Sequence, residues 1–300
     1  MWPINRSYQA LTFDAGRDIK WEWGRRTYVM GIVNATHDSF SGDGVANELQ
    51  KAVSLAKEFE ACGVDVIDIG GASSRPGADP TPVSVEKERV TSVVEVINAE
   101  VGVPISVDTT WAEVAEAALD AGATIVNDIS GFRLDPDLSS LVADRGVGAV
   151  LMHNQRGLEH HDVIHDIMLG LSTSLTIAET ARIDAAKLIL DPGFGFGWSV
   201  AQNLELLRRL PELASLDFPL LIGTSRKSSI GTVLGSNVDE RLFGTAATVA
   251  QAICAGIDVV RVHDGTEMRD VVNMSDAVAV SYTHLRAHET TGNIVSPHQH

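Results

Sequence analysis

The 300-residue chain is 44% hydrophobic, enough apolar material for one large core, and its length suits a single α/β barrel as well as two smaller domains. Its formal net charge of −17 opposes general affinity for nucleic acid or an anionic membrane, so an anionic substrate would need a local cluster of basic groups or a metal ion. No apolar run reaches the roughly 18–20 residues of a membrane span, and Met1-Trp-Pro-Ile-Asn5 lacks a basic-then-apolar leader pattern. Cys62 and Cys254, the two cysteines, lie in apolar helix-like stretches, so the expectation is a soluble cytoplasmic protein with buried, reduced thiols.

Residues 10 to 27 alternate around Ala15-Gly16 and predict a short hairpin that closes the base of the main domain, so 1–27 is set apart as an N-terminal segment. From Tyr28 onward, eight strand-like runs alternate with helix-length stretches: Tyr28 to Asn34, Val64 to Gly71, Pro104 to Thr109, Thr124 to Ile129, Ala149 to His153, Lys187 to Asp191, Pro219 to Thr224 and Asp258 to His263. Eight βα units predict a closed parallel (β/α)8 TIM barrel over 28–280. Gly63, Gly122 and Gly256 each stand between a helical stretch and the next strand, where a left-handed residue ends a helix. The segment 281–300 does not continue the amphipathic period of a last barrel helix and is expected to be a disordered or non-native tail.

A barrel of this kind gathers the C-terminal strand ends at one mouth. Those ends carry Asn34 and the loop Thr36 to Gly44, Asp68 and the loop Gly70 to Gly77, Asp108, Asn127 with Asp128, His153 with Asn154, Asp191, Ser225-Arg-Lys-Ser228, and Arg261 with His263. Ionisable groups without partners are costly to bury, so this density of polar ends points to a site. Asp108, Asn127 and Asp191 offer acceptors suited to a flat heterocycle bearing several N–H donors. Either Asn127 or Asp128 could instead cap the adjoining turn. Asp191 opens into Pro192-Gly-Phe-Gly-Phe-Gly197, whose glycines allow close backbone approach while Phe194 and Phe196 offer flat apolar faces. Arg261 and His263 alternate on one strand and so share a face, where with Asn34 and a Mg²⁺ ion they could hold phosphate or pyrophosphate. Alternatively, Arg261 pairs with a barrel aspartate and His263 is a satisfied interior imidazole. Lys227 could bind an anion, fix a ring carbonyl or form a Schiff base, or be a solvated lysine.

Eight motifs in order resemble one family: Gly31-Ile-Val-Asn-Ala-Thr-His-Asp-Ser-Phe-Ser41, Asp68-Ile-Gly-Gly-Ala-Ser-Ser-Arg-Pro-Gly77, Ser106-Val-Asp-Thr109, Val126-Asn-Asp-Ile129, Leu151-Met-His153, Leu190-Asp-Pro-Gly-Phe-Gly-Phe-Gly197, Gly223-Thr-Ser-Arg-Lys-Ser228 and Arg261-Val-His-Asp264. From about Tyr28 to about Ala279 the chain is similar to the dihydropteroate synthases, pterin-binding barrels of folate biosynthesis and targets of sulfonamides. The resemblance implies a transferase that condenses 6-hydroxymethyl-7,8-dihydropterin pyrophosphate with 4-aminobenzoate, releasing pyrophosphate. It implies that Asp108, Asn127, Asp191 and Lys227 hold the pterin, and that Asn34 with Mg²⁺, Arg261 and His263 hold the pyrophosphate. It also implies that Ser74, Arg75, Pro76, Phe196, Lys227 and Ser228 surround the aminobenzoate, with Asp108, Lys227, Arg261 and His263 carrying the catalysis. A homodimer through the later helices is implied as well, with neither nucleic acid nor membrane as partner.

Several positions depart from the family pattern. His37 stands in place of a proline, Gly42-Asp43 inverts an Asp-Gly order, Ala72 replaces a common glutamate and Ser74 a common threonine. Losing the carboxylate and a methyl group predicts reduced sulfonamide sensitivity. Three rival readings are a catalytically silent pterin-binding paralogue, a pterin-binding methyltransferase serving a corrinoid, and a Schiff-base aldolase using Lys227. The methyltransferase has no need for the Ser-Arg-Lys-Ser and Ser-Arg-Pro elements, and the aldolase explains neither Asp191 nor the glycine loop.

Overall fold

The computed structural model describes residues 8–35, 45–72 and 79–291. Two antiparallel strands, β1 (Thr12–Gly16) and β2 (Ile19–Glu22), precede eight parallel ones: β3 (Tyr28–Asn34), β4 (Val66–Gly70), β5 (Ile105–Asp108), β6 (Ile125–Asp128), β7 (Gly148–Met152), β8 (Leu188–Asp191), β9 (Leu221–Ile222) and β10 (Val259–Val262). Sheet neighbours follow chain order from β3 to β8, with β10 and then β9 on the other side of β3. A parallel bridge between Leu190 and Leu220, with Leu190 N donating to Pro219 O at 2.9 Å, joins β8 to the approach of β9 and closes the ring. The expected eight βα units are therefore all present, each strand within a few residues of its anticipated bounds.

The outer layer consists of α1 (Val45–Ala61), α2 (Val83–Glu100), α3 (Ala112–Ala121), α4 (Pro136–Arg145), α5 (Val163–Thr180), α6 (Val200–Arg209), α7 (Ser228–Leu234), α8 (Leu242–Cys254) and α9 (Gly265–Thr291). Their starts are capped where the sequence offers an acceptor: Asp135, Asp162 and Ser199 accept backbone N–H groups of the first turns of α4, α5 and α6. Gly63, Gly122 and Gly256 take φ of 81°, 116° and 89°, as expected of helix-ending glycines. The last helix runs through Thr291, into the 281–300 segment whose missing amphipathic period argues against one. Among the described residues, no helix is long and apolar enough to cross a membrane.

The hairpin turns later than Ala15-Gly16. Its two-residue loop is Arg17-Asp18, with φ of 54° and 61°, which is the positive-φ pair that a tight hairpin turn requires. Neither residue is a glycine, so the turn leaves little trace in composition. Phe13, Trp21 and Trp23 from the hairpin pack beneath the barrel against Tyr28, Met30, Val66, Ile125, Val150, Ile189, Leu221 and Val259. These barrel residues point inward because every second residue of a strand faces one side. The barrel thus has a dry floor, and polar residues further along the same inward series stand above it.

Candidate active site

Two residues beyond four of the floor positions the chemistry changes. Val66 is followed by Asp68, Ile125 by Asn127, Ile189 by Asp191, and Val259 by Arg261 and then His263. Register places Asp68 beside Ser106, Asp108 beside Asn127, and Asp191 beside Met152. Parallel strands in this stagger carry the inward carboxylates, the amide and the guanidinium to one mouth.

Arg261 is the hub. Its Nε donates to Asp68 Oδ2 at 2.6 Å and its Nη2 to Asp108 Oδ2 at 2.7 Å, while Asn127 Nδ2 donates to the same Asp68 oxygen at 3.1 Å. Burial pushes the Asp108 carboxyl up to about 7, with Arg261 pulling it back and Asp68 adding to the rise. Asp191 is lifted by burial to about 6, against the Gly193 amide and the charges of Lys227 and Arg261. Burial and Arg261 bring Lys227 down to about 8, with Asp191 opposing. His263 is held at about 4 by burial, Arg261 and Arg226, so its imidazole is neutral at pH 7. Arg261 and Lys227 each act on Asp108, Asp191 and His263, which places the five groups in a single cluster.

The glycine loop is built by backbone contact. Asp191 Oδ1 accepts from Gly193 N at 2.7 Å, and Asn203 Oδ1, from α6, accepts from Gly195 N at 2.7 Å. A Cβ on Gly193 would lie 1.8 Å from His153 O, and one on Gly197 would lie 2.6 Å from the backbone at Gln155 and Arg156. The loop therefore lies flush on the segment after β7 and presents Phe196 to the mouth. Lys227 Nζ sits 4.1 Å from the Phe196 ring centroid and Arg156 Cζ 4.6 Å from it, so two cations address one ring.

Asn34 is exposed at the end of β3, and Ser228 is exposed as the first residue of α7. Ser74, Arg75 and Pro76 lie outside the described residues, as do His37 and Gly42-Asp43. Two strand-end residues turn away from the mouth. Asp128 accepts from Ser130 N, Ser130 Oγ and Phe132 N and so caps a turn, while Asn127 faces the interior. His153 is 1% exposed, with Nε2 2.8 Å from Gln155 Oε1, and its ring lies where a Cβ on Gly170 of α5 would be. Of the two readings left open for Arg261, pairing with barrel aspartates is the contact seen, since two of its nitrogens donate to Asp68 and Asp108. The sequence does not single out Arg156 or Asn203; nothing in their local pattern marks them, because long-range folding brings them to the loop. Among the described residues no group of three or more His, Cys, Asp or Glu side chains is arranged to hold a metal ion.

A family model described as pterin binding enzyme matches residues 30–263, which span the barrel from β3 to the His263 cluster. The chain belongs to the pterin binding enzyme family. Within that family it is similar to the dihydropteroate synthase of Synechocystis sp., 43% identical over 265 residues, covering 86% of this chain and 92% of the relative. Dihydropteroate synthase from Xanthomonas albilineans, solved with 4-aminobenzoic acid, has a TM-score of 0.83 at 40% identity, covering 90% of this chain and 98% of the other. The same enzyme in complex with 7,8-dihydropteroate has a TM-score of 0.80 at 39% identity, covering 89% and 98%.

Proposed function

We infer that this protein is a dihydropteroate synthase. It joins 6-hydroxymethyl-7,8-dihydropterin pyrophosphate to 4-aminobenzoate, giving 7,8-dihydropteroate and pyrophosphate. The observation that carries this reading is the convergence of Asp108, Asn127 and Asp191 with Lys227, Arg261 and His263 at one barrel mouth, in a chain 43% identical to a dihydropteroate synthase. Purified protein supplied with both substrates and Mg²⁺ is expected to release pyrophosphate only when 4-aminobenzoate is present. Sustained turnover that is no faster with the amine than without it, or no release with it, would remove the assignment.

Asp108, Asp191 and the Asn127 carbonyl accept the N–H donors of the amino-pyrimidinone edge, and Lys227 completes the pterin site. Phe196, Lys227 and Ser228, with Ser74, Arg75 and Pro76, surround the aryl amine. When the methylene C–O bond breaks, its electron pair leaves with pyrophosphate and positive charge develops on the pterin methylene group. The Asp191 carboxylate, and the carboxyl groups of Asp68 and Asp108 that pair with Arg261, put oxygen acceptors in the barrel interior whose negative potential favours this cation. The amine nitrogen then forms the new C–N bond and gives up a proton to solvent, so catalysis is electrostatic and positional.

Arg261 and the neutral His263 serve the departing anion. Ser225 Oγ accepts from His263 N at 3.1 Å and lies 3.0 Å from Nδ1, so its O–H is placed to donate to Nδ1 and leave the ring proton on Nε2. Asn34, exposed at the end of β3, would hold a Mg²⁺ ion through its amide oxygen, and the ion would supply neutralisation of the leaving-group charge.

The pH profile arises from the same groups. Asp191 loses its charge as pH falls through about 6, and Lys227 loses its charge as pH rises through about 8. Asp108, a second acceptor of the pterin edge, loses its charge as pH falls through about 7, so kcat/KM is expected to be bell-shaped, with an acid limb spanning about 6 to 7 and an alkaline limb near 8, and Lys227→Arg to lose the alkaline limb. A profile flat from pH 5 to about 9 in the wild type would contradict these roles.

Exposed Phe243, Val233, Leu234 and Val238 on and between α7 and α8, and Met274 and Val278 on α9, support a homodimer through the later helices. A molar mass of one chain in solution would remove it. With Ala72 and Ser74 at the aminobenzoate loop, the sulfamethoxazole inhibition constant is expected to exceed that of a relative carrying glutamate and threonine there. Equal constants would end that idea. Two free cysteines agree with a cytoplasmic setting.

A further inference from the structure

Asp68 enters the reaction only through its charge, yet it is the most enclosed ionisable group of the site, with 0% of its surface exposed. We propose that Asp68 is a positioning residue that sets the hydrogen-bond polarity of the pterin edge by holding the Asn127 amide in one of its two orientations. This rests on the pterin reading above.

A carboxylate can only accept, so the Asn127 atom 3.1 Å from Asp68 Oδ2 is the nitrogen. The planar amide then has its carbonyl oxygen turned the other way, as an acceptor for an N–H of the exocyclic 2-amino group. Without Asp68 the two ends of the amide are nearly equal in size, and a half-turn would exchange acceptor for donor at the ligand. The same Asp68 oxygen accepts from Arg261 Nε at 2.6 Å, which fixes the guanidinium so that Nη2 reaches Asp108 Oδ2 at 2.7 Å. One buried oxygen therefore orients both the amide and the arginine that steadies the other pterin carboxylate.

A second observation sets Asp68 apart from a simple interior ion pair. Its other oxygen, Oδ1, is buried with no partner among the described residues, and so is Oγ of Ser106, its register neighbour on β5. A residue selected only to pair with Arg261 would gain from burying no such orphan. Keeping a full carboxylate at this depth is understandable if its charge and its accepting edge are both used.

Substitution separates these possibilities. Asp68→Asn can keep an oxygen toward Arg261 and Asn127, whereas Asp68→Leu is close in size and accepts nothing. The readout is binding of a 2-amino-4-oxopteridine against a 2,4-dioxopteridine, in which a donor becomes an acceptor, by calorimetry on the full chain. Wild type is expected to prefer the amino compound. Asp68→Leu is expected to shrink that preference at least about tenfold, because Asn127 is released to turn, and Asp68→Asn to retain most of it. Equal weakening toward both compounds in Asp68→Leu, with the preference unchanged, would make Asp68 a purely structural residue and overturn the proposal. If Asp68→Leu fails to fold, Asp68→Ala carries the same comparison. Failure of the wild type to bind either pteridine would instead strike the pterin reading itself.

Discussion

Asp191→Ala is expected to lower kcat/KM for the condensation by about a hundredfold to a thousandfold, the usual cost of deleting one preorganised electrostatic group. Asp191 ends β8 and is 7% exposed, so no solvent charge can replace it. Its Oδ1 also anchors the glycine loop through Gly193 N at 2.7 Å. Two consequences are therefore entangled in the alanine variant, a lost charge and a loosened loop. Asp191→Asn separates them: it keeps an acceptor for Gly193 but carries no charge. Melting of Asp191→Asn is expected to match the wild type while its activity stays near that of Asp191→Ala. Activity of Asp191→Ala within about threefold of the wild type would show that the pterin lies elsewhere.

Gly193→Ala is expected to destabilise the protein by about 3–5 kcal/mol. Roughly 1–2 kcal/mol comes from forcing a side chain into the left-handed region and the remainder from overpacking. The glycine has φ of 75°, and its substituent would meet His153 O at 1.8 Å, backbone against backbone, where no rotamer can yield. Gly157→Ala is the control. Its φ of 73° is nearly the same but nothing lies within 4 Å, so only the conformational part, about 1 kcal/mol, should appear. Thermal melts of the two variants measure the difference, with the Gly193 variant expected to melt roughly 5–10 °C below the control. Coincident melts would mean that the loop does not lie on the β7 segment as described.

Much of this was legible in the chain itself. The strands read as apolar runs ending in polar residues, and the alternation of Arg261 and His263 along the chain is enough to put both on one face. The same parity rule separates groups that adjacency had lumped together. Asn127 is two steps from the floor residue Ile125 and faces inward, whereas Asp128, one step further, faces out and caps a turn. His153 stands three steps from Val150 and likewise leaves the mouth for α5. What could not be read was anything set by barrel stagger. That Arg261 would span Asp68 and Asp108, residues 193 and 153 positions away, depends on how far each strand is displaced around the ring. The placement of Arg156 over Phe196 depends in turn on the backbone seat that Gly197 provides.

The ring is stitched unevenly, and its thinnest stitch is the lone Leu190–Leu220 bridge between β8 and β9. Asp191 stands on one bank of that gap and Lys227 comes after the strand on the other. A ligand gripped by both acts as a clasp, so occupancy should raise the free energy of opening the whole cylinder by RT ln(1 + [L]/Kd). Hydrogen exchange of the unliganded protein is therefore expected to be fastest along the β8–β9 seam and to slow when a ligand bridges it.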